Sequence, residues 1–246
     1  MNISLYQAAA ALSAYSDWQE TIAQNLAASS VPGYRKTEIS LSNVPAGNLS
    51  TSSINSPSVL TKLNSSLNMS PGEIIANGDK TSVAIDGKGF FEVRFADGSR
   101  GYTRDGEFKL DSQGQLMTKE GYVVQGESGP IQLDLNNSAS LSISNSGEVS
   151  QGPDVKGKLK LVDFNDYRLL IPISGGYFMA DHPSLESRNV ENVSVRQGCL
   201  ERGNTSPTTE MAQLIYVMRA FDANQRVIQI NDERMSRAIN VLGNNV

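Results

Sequence analysis

One cysteine, one histidine and one tryptophan are all that these 246 residues hold of those three types. A lone Cys199 excludes an intrachain disulfide, a thiolate metal cluster and CxxC redox chemistry. A lone His182 removes nearly all triad and zinc-site arrangements. No run of 18 apolar residues exists, so no segment is expected to insert in a membrane. The N-terminus lacks a basic stretch and a continuous apolar core, and Asp17 and Glu20 stand where a cleavage site would fall, so a cleaved secretory signal is not expected. The 21 basic residues against 26 acidic ones leave a net charge of −5. They are dispersed, with no stripe to face phosphates and nothing longer than Arg35-Lys36, so no nucleic-acid partner is expected. Aromatic content of 7% alongside 21 glycines points to turns and short strands, not to a dense α/β enzyme core.

The few groupings that could carry chemistry have simpler explanations. Asp86, Asp97, Asp105 and Asp111 lie near turns, where Asp bonds the local backbone, although a pair of them could flank a substrate. Asp181-His182 with Ser184 resembles a triad fragment, but triads converge in space and there is no nucleophile elbow. Gly87-Lys88-Gly89 resembles a phosphate loop, yet such a loop must open a helix, and here a strand follows. No catalytic, cofactor-binding or metal-ligating residue is predicted, and the chain is not expected to be an enzyme.

What the chain does have is a long amphipathic stripe at each end. Leu5, Ala8, Leu12, Tyr15, Gln19, Ile22 and Leu26 alternate spacings of three and four. So do Met211, Leu214, Met218, Phe221, Gln225, Ile228, Asp232, Met235, Ile239 and Leu242. That is the seam of a coiled coil. The first helix is predicted over about 3–29, ending before Pro32 and Gly33. The second begins after Ser206, with Pro207 at the first helical position and Glu210 at the positive end of the dipole, and runs to about Leu242. Gln225 and Asp232 interrupt its seam, which suits a helix facing several partners. The two helices could simply pair with each other. The second outruns the first by about ten residues, however, and at about 1.5–3 kcal/mol per buried Leu or Ile its uncovered stripe favours packing between subunits.

Between the helices the character changes twice. Residues 40–70 hold ten serines, five asparagines and no aromatic, and read as a Ser/Asn-rich linker ordered by a partner. From Ser82 the period becomes two, through Val83, Ile85, Phe91, Val93 and Phe95. Turn signals follow at Asp97-Gly98, Asp105-Gly106, Gln113-Gly114 and Glu120-Gly121, which predicts an antiparallel meander. Further strands are predicted at Ile131–Leu135, Leu141–Ile143, Lys158–Phe164, Leu169–Ile173, Tyr177–Met179 and Val193–Arg196. The expected fold class is α+β. The first half of a coiled-coil-like α domain occupies 1–39, a linker 40–81, an antiparallel all-β domain 82–202, and the other half of the α domain 203–246.

Four ordered segments resemble the bacterial flagellar axial proteins of the rod and hook family. Ile22-Ala23-Gln24-Asn25-Leu26-Ala27 through Gly33-Tyr34-Arg35 is similar to its N-terminal signature. Val83 through Gly87-Lys88-Gly89-Phe90-Phe91-Glu92-Val93 resembles its core strand, and Gly101-Tyr102-Thr103-Arg104-Asp105-Gly106 its hairpin motif. Gly198-Cys199-Leu200-Glu201 with Asn204, Glu210-Met211, Arg219-Ala220-Phe221 and Asn224 is similar to the C-terminal pattern. Val44-Pro45-Ala46-Gly47, Met69-Ser70-Pro71-Gly72 and Gly126-Glu127-Ser128-Gly129-Pro130-Ile131 resemble the proximal-rod subgroup, with the distal rod the runner-up. The resemblance implies a structural subunit without cofactors, which assembles with copies of itself and with neighbouring rod proteins into a hollow, torque-bearing shaft. It also implies export through the flagellar type III apparatus and a basal-body location in the periplasm. The assembly interface it implies comprises Leu5, Leu12, Tyr15, Ile22, Leu26, Met211, Leu214, Met218, Phe221, Ile228, Met235, Ile239 and Leu242. A surface- or carbohydrate-binding β module with helical anchors, and a hydrolase using turn carboxylates, are the competing functional classes.

Overall fold

The computed structural model describes residues 3–45, 59–190 and 194–243. It is α+β, with helix α1 at Ile3–Ala27, helix α2 at Pro207–Gly243, and antiparallel strands between them. Contacts divide the chain into two compact units. One comprises Met1–Ala27, Thr37–Ser66 and Ser206–Val246; the other comprises Ala28–Lys36 and Leu67–Thr205.

In the first unit α1 and α2 pack together. Asn25, near the end of α1, meets Glu210, near the start of α2, so the pair is antiparallel. The unit also holds strands Thr37–Pro45 and Val59–Leu67, which form a two-stranded sheet. The sequence reading of 40–81 as a linker missed these strands. Alternation is present in the sequence there (Ile39 with Leu41, and Val59 with Thr61 and Leu63), but serine and asparagine dilute it; the two strands are joined by backbone pairing. Leu41 is exposed, as suits a ribbon that buries little by itself.

The second unit centres on the strand Phe90–Arg94. It pairs with Arg100–Thr103 on one side, and with Val123–Gly126 and Leu161–Phe164 on the other. Alternation along this strand sends successive aromatics to opposite faces. Phe91 enters a cluster with Val83, Phe108, Leu116, Val124 and Leu159. Phe90 enters a second one with Tyr102, Val162, Phe164 and Phe178. Asp97-Gly98, Gln113-Gly114 and Glu120-Gly121 each turn between paired strands. Glycine is required at these turns: Gly98, Gly114 and Gly121 all have φ between 80° and 93°.

The predicted hairpin at Asp105-Gly106 does not form. The strands on either side of it, Arg100–Thr103 and Phe108–Leu110, lie apart in the sheet, so the chain crosses over instead of turning back. Long-range contacts override the local turn signal. The Val83 amide donates to the Gly106 carbonyl at 3.0 Å, and Ser82 bridges Glu107. A Cβ on Gly106 would lie 1.7 Å from the Val83 carbonyl oxygen, so only glycine permits the approach. Two other predicted strands also shift. Ile131 and Leu133 are buried, but the strand there is only Gly129–Pro130. The 169–173 segment divides into a 3-10 turn at Tyr167–Leu169 and a short strand at Ile171–Ile173. The predicted Leu141–Ile143 and Tyr177–Met179 strands form with those bounds.

Candidate functional site: a helix pair and a buried charge knot

In α2 the residues turned toward cover are Glu210, Leu214, Val217, Phe221, Asn224 and Ile228, at alternating spacings of four and three. In α1 the buried positions are Ala8, Ala14, Ile22 and Asn25, with Leu12, Tyr15, Trp18 and Leu26 partly covered. Trp18 lies edge-on to Tyr216 at 6.4 Å and stacks beside Tyr15. The covered seam of α2 thus includes Leu214, Phe221 and Ile228 from the predicted interface. Its alternate positions are Glu210, Val217 and Asn224 where the sequence stripe has Met211, Met218 and Gln225. Polar residues at two of those three positions concealed the register.

Met211 and Met218 stand about a third of a turn from the seam. Together with Ile215 they are 51–54% exposed. A different face of the helix carries Val227 and Ile230, also exposed, while Tyr216, 64% exposed, meets Trp18 of α1. Met235 and Ile239 continue the covered face itself. They are 53% and 65% exposed on a 37-residue α2 that is longer than the 25-residue α1. Arg219 is exposed, and Asn224 caps its own helix backbone by donating to the Ala220 carbonyl at 2.9 Å. The side chains of Leu5 and Leu242 lie outside the described residues.

Asn25 joins the elements of this unit. Its amide donates to the Thr37 carbonyl at 2.9 Å and to Glu210 Oε2 at 3.4 Å, and it accepts from the Thr37 N–H at 3.0 Å. A side-chain amide bonded to both backbone groups of one residue acts as an extra ladder rung, and so fixes where the ribbon leaves the helix. Asn25 and Glu210 are only 3% and 2% exposed, so their bond lies out of water. Replacing Asn25 by Asp should cost about 2–3 kcal/mol, because a carboxylate would face the buried Glu210 and the donor would be lost. Loss of the Trp18 fluorescence transition at lower urea would report it.

The second unit contains a buried charge knot assembled from distant motif residues. Arg35 Nη2 donates to Glu201 Oε1 at 2.6 Å, with both side chains 1% exposed. Arg104 Nη1 reaches Glu201 Oε2 at 3.3 Å, and the Gly72 amide also donates to Oε1 at 2.8 Å. Arg104 Nη2 donates to the Gly87 carbonyl at 2.7 Å, and the guanidinium sits 5.4 Å over the Phe90 ring. Burial pulls the Arg104 guanidinium below its ordinary value, while Glu201 opposes that shift. Gly33, at φ +66°, donates to the Glu201 carbonyl at 2.7 Å, and a Cβ there would come within 2.4 Å of the Arg104 backbone. Asn204 accepts from the Lys36 amide, donates to the Asn68 and Ser70 carbonyls, and its own N–H bonds the Tyr34 carbonyl. Gly89, at φ +111°, approaches Val190 and the Val162 carbonyl.

The motif positions Gly33, Tyr34, Gly87, Phe90, Arg104 and Asn204 therefore act as one joint, whereas Asn25, Glu210 and Met211 belong to the helix unit. Sequence reading missed Glu201 and Arg35 as a pair, since they are 166 positions apart. The only signal was the presence of both inside resembling segments.

Comparison with known proteins identifies relatives of this chain. Residues 84–151 match the family described as flagellar hook protein FlgE/F/G D1 domain, and residues 196–241 match flagellar basal body rod FlgEFG protein C-terminal. The chain is similar to the flagellar basal-body rod protein FlgF of Salmonella typhimurium, with 29% identity covering 98% of this chain and 99% of that protein. It is similar to FlgF of Escherichia coli K12 to the same extent. It is 30% identical to the flagellar basal-body rod protein FlgG of Buchnera aphidicola from Schizaphis graminum, covering 68% of this chain and 67% of that protein.

Proposed function

The chain belongs to the flagellar hook and rod FlgE/F/G family, and from that premise we propose that it is a proximal-rod subunit of the FlgF type, joined to its neighbours through its terminal helices. It is a structural component of the flagellar basal-body rod. Near-complete coverage of the FlgF relatives, against about two thirds for that FlgG relative, supports the proximal subtype. The observation that carries the assembly reading is the set of exposed apolar residues on α2. A helix seamed to α1 on one face still presents Met211, Ile215 and Met218 on a second, Val227 and Ile230 on a third, and Ile239 toward its C-terminal end. Exposed apolar surface on several faces of a 37-residue helix suits packing among more than two helices.

On this reading α2 lines contacts with copies of the chain and with adjoining rod proteins, and many parallel helix contacts carry torque along a hollow shaft. Leu41, exposed on the strand Thr37–Pro45, gains its cover from a neighbour. Transport through the flagellar type III apparatus and a periplasmic station complete the proposal. No described helix is long and apolar enough to cross a membrane.

The test is a variant carrying Ile215→Asp and Met218→Asp. Both side chains point away from the α1 seam, so the monomer should keep its helix content and its melting temperature within about 2 °C. Incorporation into basal bodies and swarming should be abolished. Normal rods with both substitutions would refute the assembly surface.

A further inference from the structure

We propose that the cavity beside the charge knot is a binding site for a carboxylate. The cavity, about 740 Å³, lies wholly within the β-sheet unit, and its wall includes Arg35, Arg104, Lys88 and Glu201. Its size is within the usual range of ligand pockets, roughly 300–1,000 Å³. Two buried guanidinium groups share one carboxylate, since Arg35 and Arg104 both bond Glu201. Arg196, also on the wall, is already paired with Asp86. One buried positive charge is therefore in excess, and buried charge calls for a counter-charge. Among the described residues, Arg35 Nη1 and Arg104 Nε are buried nitrogens without a hydrogen-bond partner. The residues carrying them are 2% and 6% exposed.

The remaining wall decides the class of anion. Met69, Ile74 and Phe90 offer apolar contact, which suits a single-charged group on a hydrocarbon stem and disfavours a strongly hydrated phosphate dianion. Such a carboxylate comes either from a small organic acid or from an Asp or Glu side chain of a neighbouring subunit. The site rests on its own geometry; only the second source rests on the rod reading.

The experiment titrates full-length protein with sodium butyrate at constant ionic strength, with sodium chloride and inorganic phosphate as controls. Nitrogen-15 NMR follows the side-chain Nε–H resonances of Arg35 and Arg104. A saturable shift of both with butyrate, at least ten-fold weaker with phosphate and absent with chloride, is expected. Met69→Glu supplies the carboxylate from within and should abolish the butyrate response, whereas Met69→Gln should retain it. No saturable shift in the parent protein overturns the proposal, as does equal binding of phosphate or identical behaviour of the two Met69 variants. The parent titration decides the question even where Met69→Glu fails to fold. In cells, loss of incorporation with Met69→Glu but not Met69→Gln assigns the site to a neighbour's acid, and normal incorporation of both assigns it to a free acid. Failure of every variant and of the parent to enter rods would sink the rod reading while leaving the solution result intact.

Discussion

Replacing Glu201 by Gln is expected to destabilise the β-sheet unit by about 3–5 kcal/mol, the range for breaking a buried ion pair by removing one partner. Glu201 is acceptor to four donors: Arg35, Arg104 and the Gly72 amide at its carboxylate, and the Gly33 amide at its backbone carbonyl. Gln keeps the shape but turns an N–H₂ group toward donors that need acceptors. It also leaves two guanidinium groups, both at least nine-tenths buried, with no negative charge between them. Removing an Arg together with the Glu should cost less than the sum of the single changes, because the second substitution relieves the charge that the first one strands. Urea denaturation followed by near-ultraviolet circular dichroism of the tyrosines and phenylalanines measures both quantities. A Glu201→Gln loss below about 1 kcal/mol would mean that the knot is incidental to the fold.

Asp105 yields the second large effect, with the opposite sign. Burial pushes its carboxyl up from 3.8 to about 7, with Glu107 and Glu120 adding repulsion and the Glu107 amide and Lys119 working against the shift. A carboxyl raised in the folded state binds its proton more tightly there than in the unfolded chain. Its contribution is complete below about pH 4 and declines as pH rises toward about 7, above which the folded protein holds a buried carboxylate. At about 1.4 kcal/mol per unit, the loss is on the order of 4 kcal/mol. Asp105→Asn keeps an oxygen for the Glu107 amide, which now bonds Asp105 Oδ1 at 2.9 Å, and removes the ionisation. Near pH 4 the variant should match the parent. By pH 7.5 it should be the more stable by a few kcal/mol, and the difference should level off above that. Comparing the two proteins at each pH cancels the other carboxylates. A difference that stays flat from pH 4 to pH 8 would contradict the assignment.

Glu201 is a residue that local pattern could not place, whereas Asp105 bonds the local backbone as an Asp near a turn does, and only its burial lay outside the local pattern. Phe90 and Phe91 were legible because strand alternation is a property of neighbours in sequence. Leu214, Phe221 and Ile228 were legible for the same reason at helical spacing. Val217 was lost because Glu210 and Asn224, which share its face, are polar and satisfied by specific partners: Asn25 for one, a backbone carbonyl of its own helix for the other. Asp105-Gly106 carried a strong hairpin signal, yet the Val83 backbone claims that stretch from more than 20 positions away. The charge knot needs residues from both ends of the chain and the middle, so no window of sequence contains it. Local chemistry specified the elements, and long-range polar contacts chose among the ways of joining them.

The proposed assembly requires that the exposed faces of α2 meet neighbouring rod subunits. A photo-crosslinking residue in place of Met218, in cells that assemble flagella, tests this most directly. Basal bodies should yield adducts between residue 218 and helices of adjoining rod subunits, and dilute monomer should yield none. Basal bodies that contain the substituted chain but show no adduct from residue 218 would contradict assembly through this face of α2.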